Sequence, residues 1–191
     1  MPTTARGDNI FVTSEGNGTI GEYTTSGATI NAALISGLSN PAFFAVSGSN
    51  LFVTNTASGT IGEYTTSGAT LNASLITGLD DPFGIAVSGS NLFVTNTASG
   101  TIGEYTTSGA TVNASLITGL SGGPAGIAVS GSTLFVANSS GTIGEYTTSG
   151  ATVNASLITG LGLASPCLDR LCLSRTLPAV RLANTPPRGR R

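Results

Sequence analysis

The feature that most limits what this chain can become is a repeat. The string Gly-Thr-Ile-Gly-Glu-Tyr-Thr-Thr-Ser-Gly-Ala-Thr occurs four times and sets Glu22, Glu63, Glu104 and Glu145 at a constant spacing of 41 residues. Residues 50–79 and 91–120 differ only where Leu71 becomes Val112. Length changes cancel between copies: the loop after Leu120 gains a residue, and the turn at Asn138 loses one. A unit that keeps its period while its loops drift is a structural repeat, stacked so that neighbours bury what one unit alone leaves exposed.

Each copy divides into four short runs, which in the third copy are residues 84–88, 91–95, 101–106 and 110–117, separated by Gly, Ser and Asn clusters. Runs rich in Val, Ile, Phe, Thr and Tyr between such clusters read as strands. Four strands of about six residues with connections of about four fill a period of about 40. Helical repeats of similar period are excluded by the β-branched runs and frequent Gly, and a β-solenoid would need similarity at half the period. The predicted fold is all-β: a β-propeller of four ~41-residue, four-stranded antiparallel blades. Residues 1–8 are a short extension, and the blades cover approximately 9–40, 41–80, 81–121 and 122–161. An Arg-rich tail without repeats occupies 162–191. The first blade is incomplete, because it opens at Asn9-Ile10-Phe11-Val12 with no Gly-Ile-Ala-Val run before it. Four blades so built are expected to form an open arc or a strained ring, associating through open blade edges.

Leu92-Phe93-Val94-Thr95-Asn96 followed by Gly100-Thr101-Ile102 resembles the Tyr-Val-Thr-Asn repeat of bacterial and archaeal surface-protein propellers. Pro82-Phe83-Gly84-Ile85-Ala86-Val87, with Leu92-Phe93-Val94 after it, is similar to the NHL repeat. The resemblance covers about residues 8–161. It implies a propeller of usually six or seven blades, of which this chain supplies four. It also implies a surface or secreted setting for the intact parent and a scaffold, binding or enzymatic role.

Composition narrows the function. Charged residues are only 8% of the chain, and Lys, His and Trp are absent, which excludes histidine catalysis and histidine-ligated metals. Up to Leu161 a single basic residue, Arg6, stands against eight acidic ones, so a nucleic-acid partner is not expected. No apolar stretch approaches the ~18 residues of a membrane span, and Met1–Arg6 contains no apolar signal region.

The four repeat glutamates are the only regular set of ionisable groups. A ring of carboxylates can hold Ca²⁺ where several oxygens converge within about 2.5 Å, but on a third strand, away from the axis, symmetry keeps them apart. They are expected to bond nearby Ser or Thr instead. Catalysis needs groups of unlike role and acidity, and near-identical blades supply equivalent copies. Only Asp80-Asp81 breaks the pattern, and Asp before Pro82 is a turn element. No catalytic, cofactor-binding or metal residue is therefore assigned, and no cofactor. Asn17, Asn72, Asn113, Asn138 and Asn154 head N-glycosylation sequons, Arg6-Gly7-Asp8 matches an integrin-binding tripeptide, and Cys167 and Cys172 lack two further zinc ligands. The reading is a non-catalytic module, structural or binding a protein or glycan. Its rival is a fragment of a lactonase-like hydrolase or lyase whose catalytic blades are missing.

Two further expectations follow. Ile85, Val87, Leu92, Val94, Ile102, Tyr105, Leu116 and their equivalents should be mostly buried between sheets, with Gly84, Gly103 and their copies permitting close approach. The repeat register survives to Pro166, after which six Arg follow in 25 residues. Residues 167–191 are accordingly expected to be a frame-change product or fused end rather than native propeller, with a genuine basic tail as the alternative.

Overall fold

A computed structural model describes residues 9–161. Each repeat forms its own antiparallel sheet, with strands in chain order. The first sheet has three strands, β1 (Asn9–Ser14), β2 (Thr19–Thr24) and β3 (Thr29–Ile35). The second has four, β4 (Pro41–Ser47), β5 (Asn50–Asn55), β6 (Thr60–Thr65) and β7 (Thr70–Ile76). The third comprises β8 (Pro82–Ser88), β9 (Asn91–Asn96), β10 (Thr101–Thr106) and β11 (Thr111–Ile117). The fourth comprises β12 (Pro124–Ser130), β13 (Thr133–Asn138), β14 (Thr142–Thr147) and β15 (Thr152–Ile158). The architecture is a partial β-propeller, with its first sheet lacking the strand that opens the other three.

Stacking follows from strands that are apolar on both faces. One face of each sheet carries Phe and Ile, and the other carries Leu, Val and Tyr. Phe52 and Ile61 of the second sheet pack on Leu92, Val94 and Tyr105 of the third. Phe93 and Ile102 of the third pack on Leu134, Val136 and Tyr146 of the fourth. Ile20 and Ile35 of the first meet Leu51, Val53 and Tyr64 of the second. Three equivalent junctions thus run in one direction along the stack. Each is crossed by a hydrogen bond from a threonine hydroxyl to the next sheet: Thr13 to Ala42 O, Thr54 to Phe83 O and Thr95 to Ala125 O, at 2.8–3.1 Å.

Two glycines leave room that a side chain would fill, Gly84 between sheets and Gly103 within its own strand. A Cβ at Gly84 would lie 2.2 Å from Ala125 O, so no side chain fits where β8 passes β12. At Gly103 the Tyr105 ring leans back over the bare backbone, and a Cβ would lie 2.6 Å from its edge. An aromatic ring covering a strand glycine replaces the packing that glycine lacks.

Ile85, Leu92, Val94, Ile102 and Tyr105 are buried as expected, whereas Val87 and Leu116 are only half-buried and Ile117 fills the place expected of Leu116. For Leu116 and Ile117 the cause is bulging in the outer strand. Between Ile102↔Ile117 and Tyr105↔Thr111, β10 advances three residues while β11 advances six. Extra residues on one strand break the alternation of faces, so residues 111–115 are all exposed.

Candidate functional site

The repeat glutamates lie on β2, β6, β10 and β14, the strand next to the outermost in each sheet, on the Phe/Ile face. Glu104 stands opposite Phe93, which makes Asn91 its diagonal neighbour across the strands. Asn91 Nδ2 donates to Glu104 Oε1 at 2.7 Å, Asn50 to Glu63 at 2.7 Å, and Asn9 to Glu22 in the same way. The partner is therefore asparagine, not the Ser or Thr expected from sequence. Thr133 occupies the asparagine position of the fourth sheet, and Glu145 there has no such donor. Glu22 and Glu104 are buried between sheets, each in its own junction. Among the described residues no group of three or more His, Cys, Asp or Glu is placed to hold a metal ion.

Asp81 is exposed with φ 58°, in the left-handed region, and its carbonyl accepts from Thr97 N at 3.0 Å. Asn40, with φ 58°, and Gly123, with φ 70°, hold the same place before Pro41 and Pro124. Asp, Asn and Gly are the residues that tolerate this conformation, so Asp81 serves the turn.

The opposite face carries a second repeated polar set. Tyr64, Tyr105 and Tyr146 are buried, and burial raises each above the ordinary tyrosine value, opposed at Tyr64 by the Asn55 side chain and at Tyr105 by Asn96. Asn138 Nδ2 donates to Thr142 Oγ1 at 3.2 Å. The Oδ1 atoms of Asn55, Asn96 and Asn138 have no hydrogen-bond partner. These atoms lie within the packing between sheets.

The outer strands make the accessible repeated surface. In β3, β7, β11 and β15 the first five residues are exposed, including Ile30, Leu71, Val112 and Val153. Beside each of these stands an asparagine whose Oδ1 accepts the backbone N–H two residues on: Asn31, Asn72, Asn113 and Asn154, at 3.0–3.1 Å. This local bond satisfies backbone at the bulge, where the ladder is interrupted. The rim therefore shows one motif four times, an aliphatic side chain flanked by Thr, Asn and small residues. From sequence this set is not singled out: of the outer strand only Leu116 and its equivalents are expected to be buried.

Of the sequon asparagines, Asn17, Asn72, Asn113 and Asn154 are exposed, while Asn138 is buried and inaccessible to modification. Arg6-Gly7-Asp8, Cys167, Cys172 and the tail 162–191 lie outside the described residues. No described helix is long and apolar enough to cross a membrane.

No protein-family model matches the chain, and no curated protein sequence does. Solved structures do match. A virginiamycin B lyase from Staphylococcus aureus is 25% identical, over 68% of this chain and 44% of that one, with a TM-score of 0.57. A streptogramin B lyase is 21% identical over 73% of this chain and 48% of that one, with a TM-score of 0.59. A gluconolactonase from Xanthomonas campestris is 17% identical over 75% and 57%, with a TM-score of 0.64. The chain spans about half the length of these proteins, which are similar to it in propeller fold.

Proposed function

We propose that this chain is a non-catalytic propeller module of the NHL or Tyr-Val-Thr-Asn type, from a surface or secreted protein, binding a protein or glycan through its outer rim. The observation that carries the reading is the division of the repeat's side chains. Its only regular charged group, the glutamate, is turned into the sheet junctions and bonded to asparagine in three of four copies. Its exposed side chains are the Thr-aliphatic-Asn set of the outer strands, present four times. Four weak, equivalent contacts on one rigid body bind through effective concentration rather than through one strong pocket. Aliphatic groups beside amides and hydroxyls suit the mixed apolar and polar faces of a sugar or an extended peptide.

The test is binding of the chain to immobilised glycan and peptide panels, with Leu71→Ser alone and with Ile30, Leu71, Val112 and Val153 all changed to Ser. Graded loss with each added substitution is the expected result. Equal binding by the fourfold variant would overturn the reading. The rival, a fragment of a lactonase-like hydrolase or lyase, draws support from the lyase and lactonase names among the similar structures. Turnover of lactones, measured with and without Ca²⁺, favours the rival if it appears and depends on the cation.

A further inference from the structure

The two ends of the stack present the two halves of one junction. At the first sheet, no sheet among the described residues lies against the Leu/Val/Tyr face. Ile10 is 39% exposed and Val12 45%, whereas their counterparts Leu51, Leu92 and Leu134, and Val53, Val94 and Val136, are all at 0%. At the fourth sheet it is the Phe/Ile face that has no described sheet against it, although Ile143 at its middle stays buried at 7%. Ile158 is 45% exposed, against 3–4% for Ile35, Ile76 and Ile117. Phe135 is half-buried where Phe52 and Phe93 are buried.

Smaller contacts repeat the match. In each internal junction an outer-strand leucine reaches a turn glycine of the next sheet: Leu34 to Gly68, Leu75 to Gly109, Leu116 to Gly150. Leu157 is left exposed at one end, and Gly27 has nothing near its Cβ position at the other. The junction hydrogen bond is missing from both sides at once. Ala137 replaces the donor Thr13, Thr54 and Thr95, and among the described residues the first sheet has no opening strand to offer the accepting carbonyl. No hydroxyl would be left unsatisfied if these ends met.

We infer that a second copy of this chain stacks its first sheet on the fourth sheet of the first copy, and that two copies close head to tail into a ring of eight sheets. The contact is the internal junction used once more between chains, through sheet faces rather than the strand edges expected from sequence. A heterologous contact closes into a ring when its rotation divides the circle, and eight blades lie within the range propellers adopt. Three strands about 20 Å long, spaced about 4.8 Å apart, present roughly 300 Å² in projection. Two junctions with two sides each bury roughly 1,200 Å², which reaches the lower bound of about 1,200 Å² for stable specific interfaces.

The experiment is the mass of the full 191-residue chain in solution by light scattering and sedimentation, across a wide concentration range. Twice the 18.9 kDa chain mass is expected. Val12→Glu blocks one end and Ile158→Glu the other, and each alone should weaken the dimer by more than about tenfold, because a charge would be buried unpaired. Mixing the two variants leaves one competent junction of about half the area, and should give a 1:1 pair weaker than the parent dimer but tighter than the self-association of either variant alone. Both side chains are already exposed in the single chain, so circular dichroism should be unchanged. Ile10→Glu and Leu157→Glu replace either variant that fails to fold. A monomer at all concentrations overturns the inference, and is the result expected if the chain covers these faces itself. A single variant that dimerises as tightly as the parent refutes the pairing of unlike ends, as does a mixture that associates no more tightly than either variant alone. Mass growing without limit refutes closure.

Discussion

Leu92→Ala and Ile10→Ala are the same type of truncation at equivalent strand positions, and the stack makes them unequal. Leu92 is fully buried in the junction of the second and third sheets, in one cluster with Phe52, Ile61 and Ile76. Truncation there removes the transferred surface and leaves a cavity, costing about 2–5 kcal/mol. Ile10 already exposes 39% of its surface and has no facing sheet among the described residues. Losing three-fifths of a burial worth about 1.5–3 kcal/mol, with no cavity to leave, costs roughly 1–2 kcal/mol. A repeat stack is held by nearest-neighbour contacts, so weakening one internal junction should also split the unfolding transition. Urea denaturation followed by circular dichroism, in protein dilute enough to be monomeric, reads both effects. Leu92→Ala should lower the midpoint further and broaden or divide the transition, while Ile10→Ala should shift it slightly and leave its shape alone. Equal shifts, or a larger one for Ile10→Ala, would refute the view that the junctions carry the stability.

Thr133→Asn restores to the fourth sheet the donor that Asn50 and Asn91 supply to Glu63 and Glu104, and should raise stability by about 0.5–1.5 kcal/mol, seen as a higher denaturation midpoint; Glu145→Gln combined with it should reduce the gain. Gly103→Ala places a methyl 2.6 Å from the Tyr105 ring edge and should cost about 1–3 kcal/mol, while Tyr105→Ala in the same chain should make the added methyl nearly neutral. Tyr64, Tyr105 and Tyr146 are raised by burial in the folded chain. The stability they contribute is therefore complete below the ordinary tyrosine value of 10.0 and is lost as pH rises through and above it. Titration by tyrosinate absorbance should show ionisation above pH 10 coinciding with loss of sheet signal, and full tyrosine ionisation in a still-folded chain would contradict this.

The sequence by itself determined the repeat, the four-strand unit, the three-stranded first sheet and most of the core. It could do so because each of these depends on local order: runs of β-formers, turn residues at fixed offsets, and a 41-residue period. Ile102, Leu92 and Val94 were legible as core because residues apolar on both faces must be covered on both. The asparagine partners of the glutamates were not legible. Asn91 and Glu104 meet only because the hairpin register sets Phe93 opposite Glu104, and a diagonal neighbour follows from register rather than spacing. The outer strand misled for a related reason. Its bulges shift alternation partway along, so Ile117 turns inward, Leu116 half outward, and the candidate rim residues lie exposed on both faces. What only the tertiary structure decided is the direction of stacking, Phe/Ile face onto Leu/Val/Tyr face, and hence that unlike faces are left open at the two ends. Identical repeats carry identical local information, so Ile10 and Leu92 differ in burial only through what lies beside them in space.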